Sequence, residues 1–315
     1  MRILLVDRTL TGQPHANWKE GWELLYAFEN LGHTAAIAGP GCPFPPKDIL
    51  LLAPGFDLII ATENYPDKDW AGFDWWNDWK YVKTPKVFWA IDTHLTDCGI
   101  AHNYVDLTQR GNFDWVACNN PKDTSKFKNS FWLPYAASRK HHGVDLETER
   151  IDPIILAGSL TPDRVPYVNR YRMKHVVAYG PDYVRAMQSA KICFNKTKSY
   201  DINAKYFEIL GCGAFMLANW NDDLRALINL PELDEMLWKN DADLDAKIEF
   251  YLRHFVEREF IASKVRHHIL TNHAWENRAE LILKCCGYAG GATDGWGDPA
   301  PPATGGKTIE ASRRP

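Results

Sequence analysis

The sequence predicts an α/β protein made of two βαβ-type domains. Three observations carry this. Short apolar runs such as Ile3–Val6, Leu58–Ala61 and Lys86–Ile91 lack polar alternation, as in strands buried on both faces of a parallel sheet. Between them lie stretches with apolar residues at helical spacing, for example Trp22, Leu25, Phe28 and Leu31, closed by Gly32. The same alternation starts anew at Pro153, and 315 residues are enough for two such domains.

The first half unfolds in order. Ile3–Val6 is a strand, Asp7–Asn17 a loop with Gly12 and Pro14, Trp18–Leu31 a helix and Thr34–Ala38 a second strand. No G-x-G-x-x-G accompanies this unit, so a dinucleotide fingerprint is absent. A short helix at Ile49–Leu52 precedes the strand Leu58–Ala61, which ends at Thr62-Glu63-Asn64. Ligands of open α/β sheets gather at such carboxyl ends, which makes Glu63 a candidate. Trp70, Phe73, Trp75, Trp76 and Trp79 form an aromatic stretch that reads either as core or as a stacking platform. Lys86–Ile91 is followed by Asp92-Thr93-His94, where Asp92 and His94 are candidates for a polar cleft and Asp92 and Thr93 equally for a helix cap. A helix at His102–Thr108, a strand at Phe113–Cys118 and a strand at Phe131–Leu133 complete the half. Pro134–Leu146 is the crossing; its adjacent His141 and His142 point different ways on a regular element, which argues against a metal pair.

The second half opens with the strand Pro153–Ala157 and the loop Gly158-Ser159-Leu160-Thr161-Pro162-Asp163-Arg164. Its small residues let a phosphate approach the backbone, and Arg164 adds charge. A strand at Val176–Ala178, a helix at Pro181–Ala190 and a strand at Ile192–Phe194 follow. Asp201 to Asn219 then reads as a helix capped by Asp201 or Asn203, a turn supplied by Gly211 and Gly213, and a buried strand. Glu208 lies near the end of that helix, where it can accept hydrogen bonds from a pair of sugar hydroxyls. Leu224–Leu227 and Asp241–Phe255 are helical, as is the remainder to about Cys286, with one break near Thr271. Residues 290–315, rich in Gly, Pro and Thr, read as a disordered tail.

Composition narrows the classes. A net charge of −4 gives no bulk attraction to polyanions and argues against nucleic acid as a partner. The seven cysteines include no C-x-x-C pair and read as idle thiols of a reducing compartment. The N-terminal apolar run is too short for a signal peptide, and no run approaches membrane-spanning length, so the expected location is the cytoplasm.

The run Asp201-Ile202-Asn203-Ala204-Lys205-Tyr206-Phe207-Glu208-Ile209-Leu210-Gly211-Cys212-Gly213-Ala214 resembles the C-terminal domain of GT-B glycosyltransferases, and within them the group similar to spore maturation protein CgeB. His273-Ala274-Trp275-Glu276-Asn277-Arg278 resembles the family's closing helix, and Trp132–Ala136 its domain junction. The resemblance implies two Rossmann-like domains facing across a cleft: an acceptor-side domain over 1–140, a nucleotide-sugar domain over 141–288, and the tail 289–315. It implies transfer of a sugar from a nucleotide-diphosphate sugar to an acceptor with retention of configuration, with no cofactor and no metal. Gly158, Ser159, Arg164, Asn203, Lys205, Glu208 and Gly213 fall on the donor side, Gly12 and Glu63 on the acceptor side, and His94 with Asp92 at the catalytic point. Glu208 matches the family's ribose-binding glutamate. The glutamate expected eight residues earlier is Tyr200, and Lys205 stands in place of the family's arginine, without its bidentate geometry. Tyr200 leaves a non-catalytic nucleotide- or sugar-binding protein as the rival reading, beside a DNA-modifying or epimerase-type GT-B enzyme.

Overall fold

Two parallel sheets organise the chain. The computed structural model describes residues 1–9, 19–63, 70–91, 104–197 and 200–288. β1 (Arg2–Val6), β2 (Thr34–Ala38), β3 (Leu58–Thr62), β4 (Lys86–Ala90), β5 (Trp115–Cys118) and β6 (Ser130–Trp132) form one sheet in the order β2-β1-β3-β4-β5-β6. β7 (Asp152–Ala157), β8 (Lys174–Val176), β9 (Ala190–Asn195), β10 (Met216–Asn219) and β11 (Leu237–Trp238) form the other in the order β11-β10-β9-β7-β8. Strand order reverses between β1 and β3 and between β7 and β9, the places where ligands of open α/β sheets settle.

The helices are α1 (Glu20–Asn30), α2 (Ile49–Leu52), α3 (Tyr104–Arg110), α4 (Val165–Tyr171), α5 (Gly180–Ser189), α6 (Ala204–Gly211), α7 (Asp222–Ile228), α8 (Leu233–Met236), α9 (Asp241–Arg253), α10 (Phe255–Asn272) and α11 (Trp275–Cys285). Strand residues of the first sheet divide by parity, because successive side chains point to opposite faces. Ile3, Leu5, Ile60, Val87 and Trp89 pack with Leu24 and Phe28 of α1 and Ala279 and Ile282 of α11. Leu4, Val6, Ile59, Ala61, Phe88 and Ala90 pack on the other face with Trp75, Trp79, Tyr104 and Leu107. The last helix thus returns to the first sheet. Trp70, Phe73, Trp75 and Trp79 are buried in this core, so they offer no stacking platform. The second sheet shares one continuous core with α5, α6, α9 and α10.

Two chain crossings run side by side between the halves. Ala137 N–H donates to His273 O at 2.9 Å, and Trp275 N–H donates to Ala137 O at 3.1 Å. Arg278, fully buried, donates to the carbonyls of Pro134 and Tyr135 over 2.9–3.1 Å. Burial lowers its pKa to about 9. Among the described residues, no helix is long and apolar enough to cross a membrane.

The sequence reading misses α4, α8 and β11, and sets β8 two residues late. Gly211 is the last residue of α6 rather than part of the turn. Glycine is needed there by contact: a Cβ would lie 2.9 Å from Ala137 Cβ and 3.2 Å from His142 Cβ. Gly213 does make the turn, with φ +74°. Residues 289–315, read as a tail, lie outside the described residues.

Candidate functional site at the junction of the two sheets

The carboxyl ends of the two sheets meet. Asn119, just past β5, donates from Nδ2 to Ile202 O at 3.2 Å, and Ile202 N–H donates to Asn120 Oδ1 at 3.3 Å. Tyr200 OH donates to Asp123 Oδ1 at 3.2 Å, and Lys122 pairs with Asp223 at 3.3 Å. The first half therefore grips the loop that leads into α6. Tyr200 serves this grip.

Tyr206, Phe207, Ile209 and Leu210 bury one side of α6. Its other side carries Lys205 and Glu208, both half-buried. Glu208 Oε2 accepts from Lys205 Nζ at 2.7 Å and from Tyr183 OH at 2.9 Å, while Lys205 Nζ also lies 4.3 Å from the Tyr183 ring centre. Burial pushes the Glu208 carboxyl up, but Lys205 and His142 outweigh it and hold the group below its ordinary value. Glu208 is thus an anion whose Oε1 accepts from none of the described residues. Asn203 occupies the position before the helix in extended backbone, yet makes no capping bond; its Oδ1 accepts from Asn195 Nδ2 at 3.4 Å instead.

Across the junction, Asp7 ends β1. Its Oδ1 accepts from Arg8 N–H at 2.6 Å and its Oδ2 from Gly21 N–H at 2.8 Å. A Cβ on Gly21 would lie 2.4 Å from Asp7 Oδ2, so glycine is what lets the strand end touch the helix start. Glu20, at the first turn of α1, has its pKa raised to about 7, by burial first, then by Asp7, with a further contribution from Glu208. His141 Nδ1 lies 2.5 Å from Glu23 Oε1 of α1. His142 Nδ1 accepts from Ser138 N–H at 3.0 Å, and burial lowers its pKa against the opposing pull of Glu208. The adjacent histidines therefore have different partners, Glu23 for His141 and Ser138 for His142. No group of three or more His, Cys, Asp or Glu among the described residues is arranged to hold a metal ion.

Gly158, with φ +107°, is brought to Lys205: a Cβ there would lie 3.5 Å from Lys205 Cε. Ser159 is exposed, and its carbonyl accepts from Arg164 Nη1 at 2.9 Å. Arg164 also donates from Nε and Nη2 to Lys196 O at 3.0 and 2.6 Å. It braces the loops after β7 and β9, an engagement its expected phosphate role did not foresee. Glu63 is engaged too, accepting from Ile91 N–H and Tyr104 OH, each at 2.6 Å. It ties β4 to α3 rather than presenting an idle carboxylate. Gly12, Asp92 and His94 lie outside the described residues. Glu20, Asp7, Tyr183 and His142 escaped the sequence reading. The strand-end argument that singled out Glu63 applies equally to Asp7; nothing local marks the other three.

Residues 137–284 match the family described as glycosyl transferase-like. No curated protein matches the chain. Among solved structures, a T4 phage β-glucosyltransferase is similar with TM-score 0.61 and 11% identity, over 90% of this chain and 99% of that one. An α-glucosyltransferase in complex with UDP and DNA has TM-score 0.64 and 11% identity, over 90% and 100%. Sucrose-phosphate synthase from Thermosynechococcus elongatus has TM-score 0.58 and 13% identity, over 90% and 97%. The chain thus has the two-domain α/β architecture of the GT-B fold, and most of its second half matches the glycosyl transferase-like family.

Proposed function

We propose that the protein transfers a sugar from a nucleotide-diphosphate sugar to an acceptor hydroxyl, as a member of the CgeB-like group. Residues 1–140 form the acceptor side and 141–288 the donor side. The observation that carries this is Glu208, an ionised carboxylate held through one oxygen by Lys205 and Tyr183 at the junction of the sheets. A carboxylate held this way accepts two ribose hydroxyls through charge-assisted bonds. Lys205 beside Gly158 supplies positive charge next to backbone that a phosphate can approach.

In the transfer, the acceptor oxygen bonds to the anomeric carbon from the face that the diphosphate oxygen leaves, as that carbon–oxygen bond breaks, so that configuration is retained. The acceptor proton must leave. A carboxyl that titrates near 7, as Glu20 does, is suited to hold it. His94 and Asp92 are read as further catalytic residues, and Gly12 and Glu63 as acceptor-side ones. Retention of configuration, independence of metal and cofactor, and a cytoplasmic location complete the reading.

The test is turnover of a panel of nucleotide sugars, with the released nucleotide and the transferred sugar both measured and a chelator present in one arm. Tight binding of one donor without turnover in the presence of any acceptor contradicts the reading and favours a binding protein, for which Tyr200 speaks. A second reading concerns the acceptor: the α-glucosyltransferase above was solved with DNA. Transfer to DNA bearing hydroxymethylated bases, and to no small acceptor, would select it.

A further inference from the structure

We infer that the protein has a second ligand site, for a small phosphorylated sugar, at the amino ends of β7 and β9, opposite the junction. A cavity of about 490 Å³ opens there, bordered by Arg150, Arg258 and Arg266. Arg150 is fully engaged: Nε pairs with Glu259 at 2.8 Å, Nη1 donates to the carbonyls of Gln188 and Ala190, and Nη2 donates to Gly213 O at 2.7 Å. The other two are not. Arg258 gives Nε to Glu259 and Nη1 to Tyr251 O; Arg266 gives Nε to Gly211 O and Nη2 to Gly143 O. Arg258 Nη2 and Arg266 Nη1 donate to none of the described residues, although Arg258 is only 4% exposed and the cavity is the space it borders.

A buried guanidinium with an idle nitrogen is suited to a phosphate, whose oxygens accept its planar donors. Glu259 does not cancel this, because Arg150 and Arg258 both pair with it. The rim adds what a bare phosphate does not need. Phe255, 65% exposed, offers a ring face to a sugar, and the carboxylates of Asp145 and Glu147 offer acceptors to its hydroxyls. Those two acids also disfavour a polyphosphate, which leaves one phosphate on a polyol. Arg150 and Arg266 hold the carbonyls of Gly213 and Gly211, at the end of the helix that carries Lys205 and Glu208. Occupancy is therefore linked to the candidate site, a link that rests on the proposed function, whereas the binding does not.

Calorimetric titration tests the site with glucose 6-phosphate, inorganic phosphate and glucose as probes. Ser263 lines the cavity, is exposed and makes no side-chain hydrogen bond with the described residues, so Ser263→Asp adds a repelling charge without disturbing the fold. The sugar phosphate should bind at least about tenfold more tightly than either component, and Ser263→Asp should weaken it by about tenfold or more with an unchanged ligand-free Tm. Lys205→Met should bind it as the wild type does. No binding of any probe at millimolar concentration overturns the inference. So does undiminished binding by Ser263→Asp, and loss in Lys205→Met alone would move the ligand to the junction. None of these outcomes depends on turnover.

Discussion

Glu20 on α1 and Glu208 on α6 interact across the junction of the two sheets, and the charge of Glu208 helps to raise the Glu20 carboxyl to about 7. The two acids diverge because their surroundings differ. Glu208 has Lys205 and Tyr183 on one oxygen, whereas Glu20 is half-buried near Asp7, with no ion-pair partner among the described residues. One stays ionised and the other exchanges its proton near neutrality, a division of labour that acid–base sites share.

The first prediction follows from that contrast. Unfolded, Glu20 returns to its ordinary 4.5; folded, it titrates at about 7. Between those values the folded state holds a proton that the unfolded state has lost, so stability falls as pH rises through the interval and is flat above it. Glu20→Gln removes this decline. It should raise unfolding stability at pH about 8 by roughly 1–3 kcal/mol and leave it nearly unchanged near pH 4.5. Urea unfolding at both pH values measures this, and equal stability of the two proteins at the higher pH would count against a raised Glu20 carboxyl.

Gly211→Ala should destabilise the fold. Helix propensity favours alanine by roughly 1 kcal/mol. The new Cβ, however, meets Ala137 Cβ at 2.9 Å, and both atoms belong to backbone-anchored groups that cannot swing away. Overpacking of this kind costs roughly 1–3 kcal/mol and should win. A higher Tm for the variant would show that the crossing yields more easily than its contacts imply.

Arg278→Met should cost more, on the order of 3 kcal/mol. The guanidinium is what satisfies the Pro134 and Tyr135 carbonyls where the chain crosses between halves. Methionine keeps the bulk and leaves those acceptors without a donor. Denaturant unfolding reads the loss, and a change below about 1 kcal/mol would mean that water replaces the arginine.

Much of the fold was legible because burial on two faces writes continuous apolar runs: Ile3–Val6 and Leu58–Ala61 fall on β1 and β3. β11 escaped because two paired residues, Leu237 and Trp238, leave no periodic signal. α4 escaped because Pro166 reads as a breaker, although proline suits a first turn. For the site, the run from Asp201 to Gly213 identified Lys205 and Glu208 by resemblance, and the structure adds their pairing. Glu20 was illegible for a physical reason. Its proton affinity comes from burial and from Asp7 and Glu208, one of them on a helix of the other half. Arg164 and Glu63 were read as reaching outward, since strand-end loops usually do, but their partners are neighbouring loop and strand groups.

The most direct test of the central claim is calorimetric titration of a nucleotide sugar and of inorganic diphosphate into the wild type and Glu208→Gln. Glutamine keeps the size and one acceptor but loses the charge and the pairing with Lys205. A half-buried ion pair of this kind contributes modestly, so the variant should fold, as circular dichroism would verify. The account predicts that the nucleotide sugar binds the variant about tenfold or more weakly, while diphosphate binds it at least as tightly as it binds the wild type, because Lys205 is released. Equal affinity of both proteins for every nucleotide sugar would contradict it.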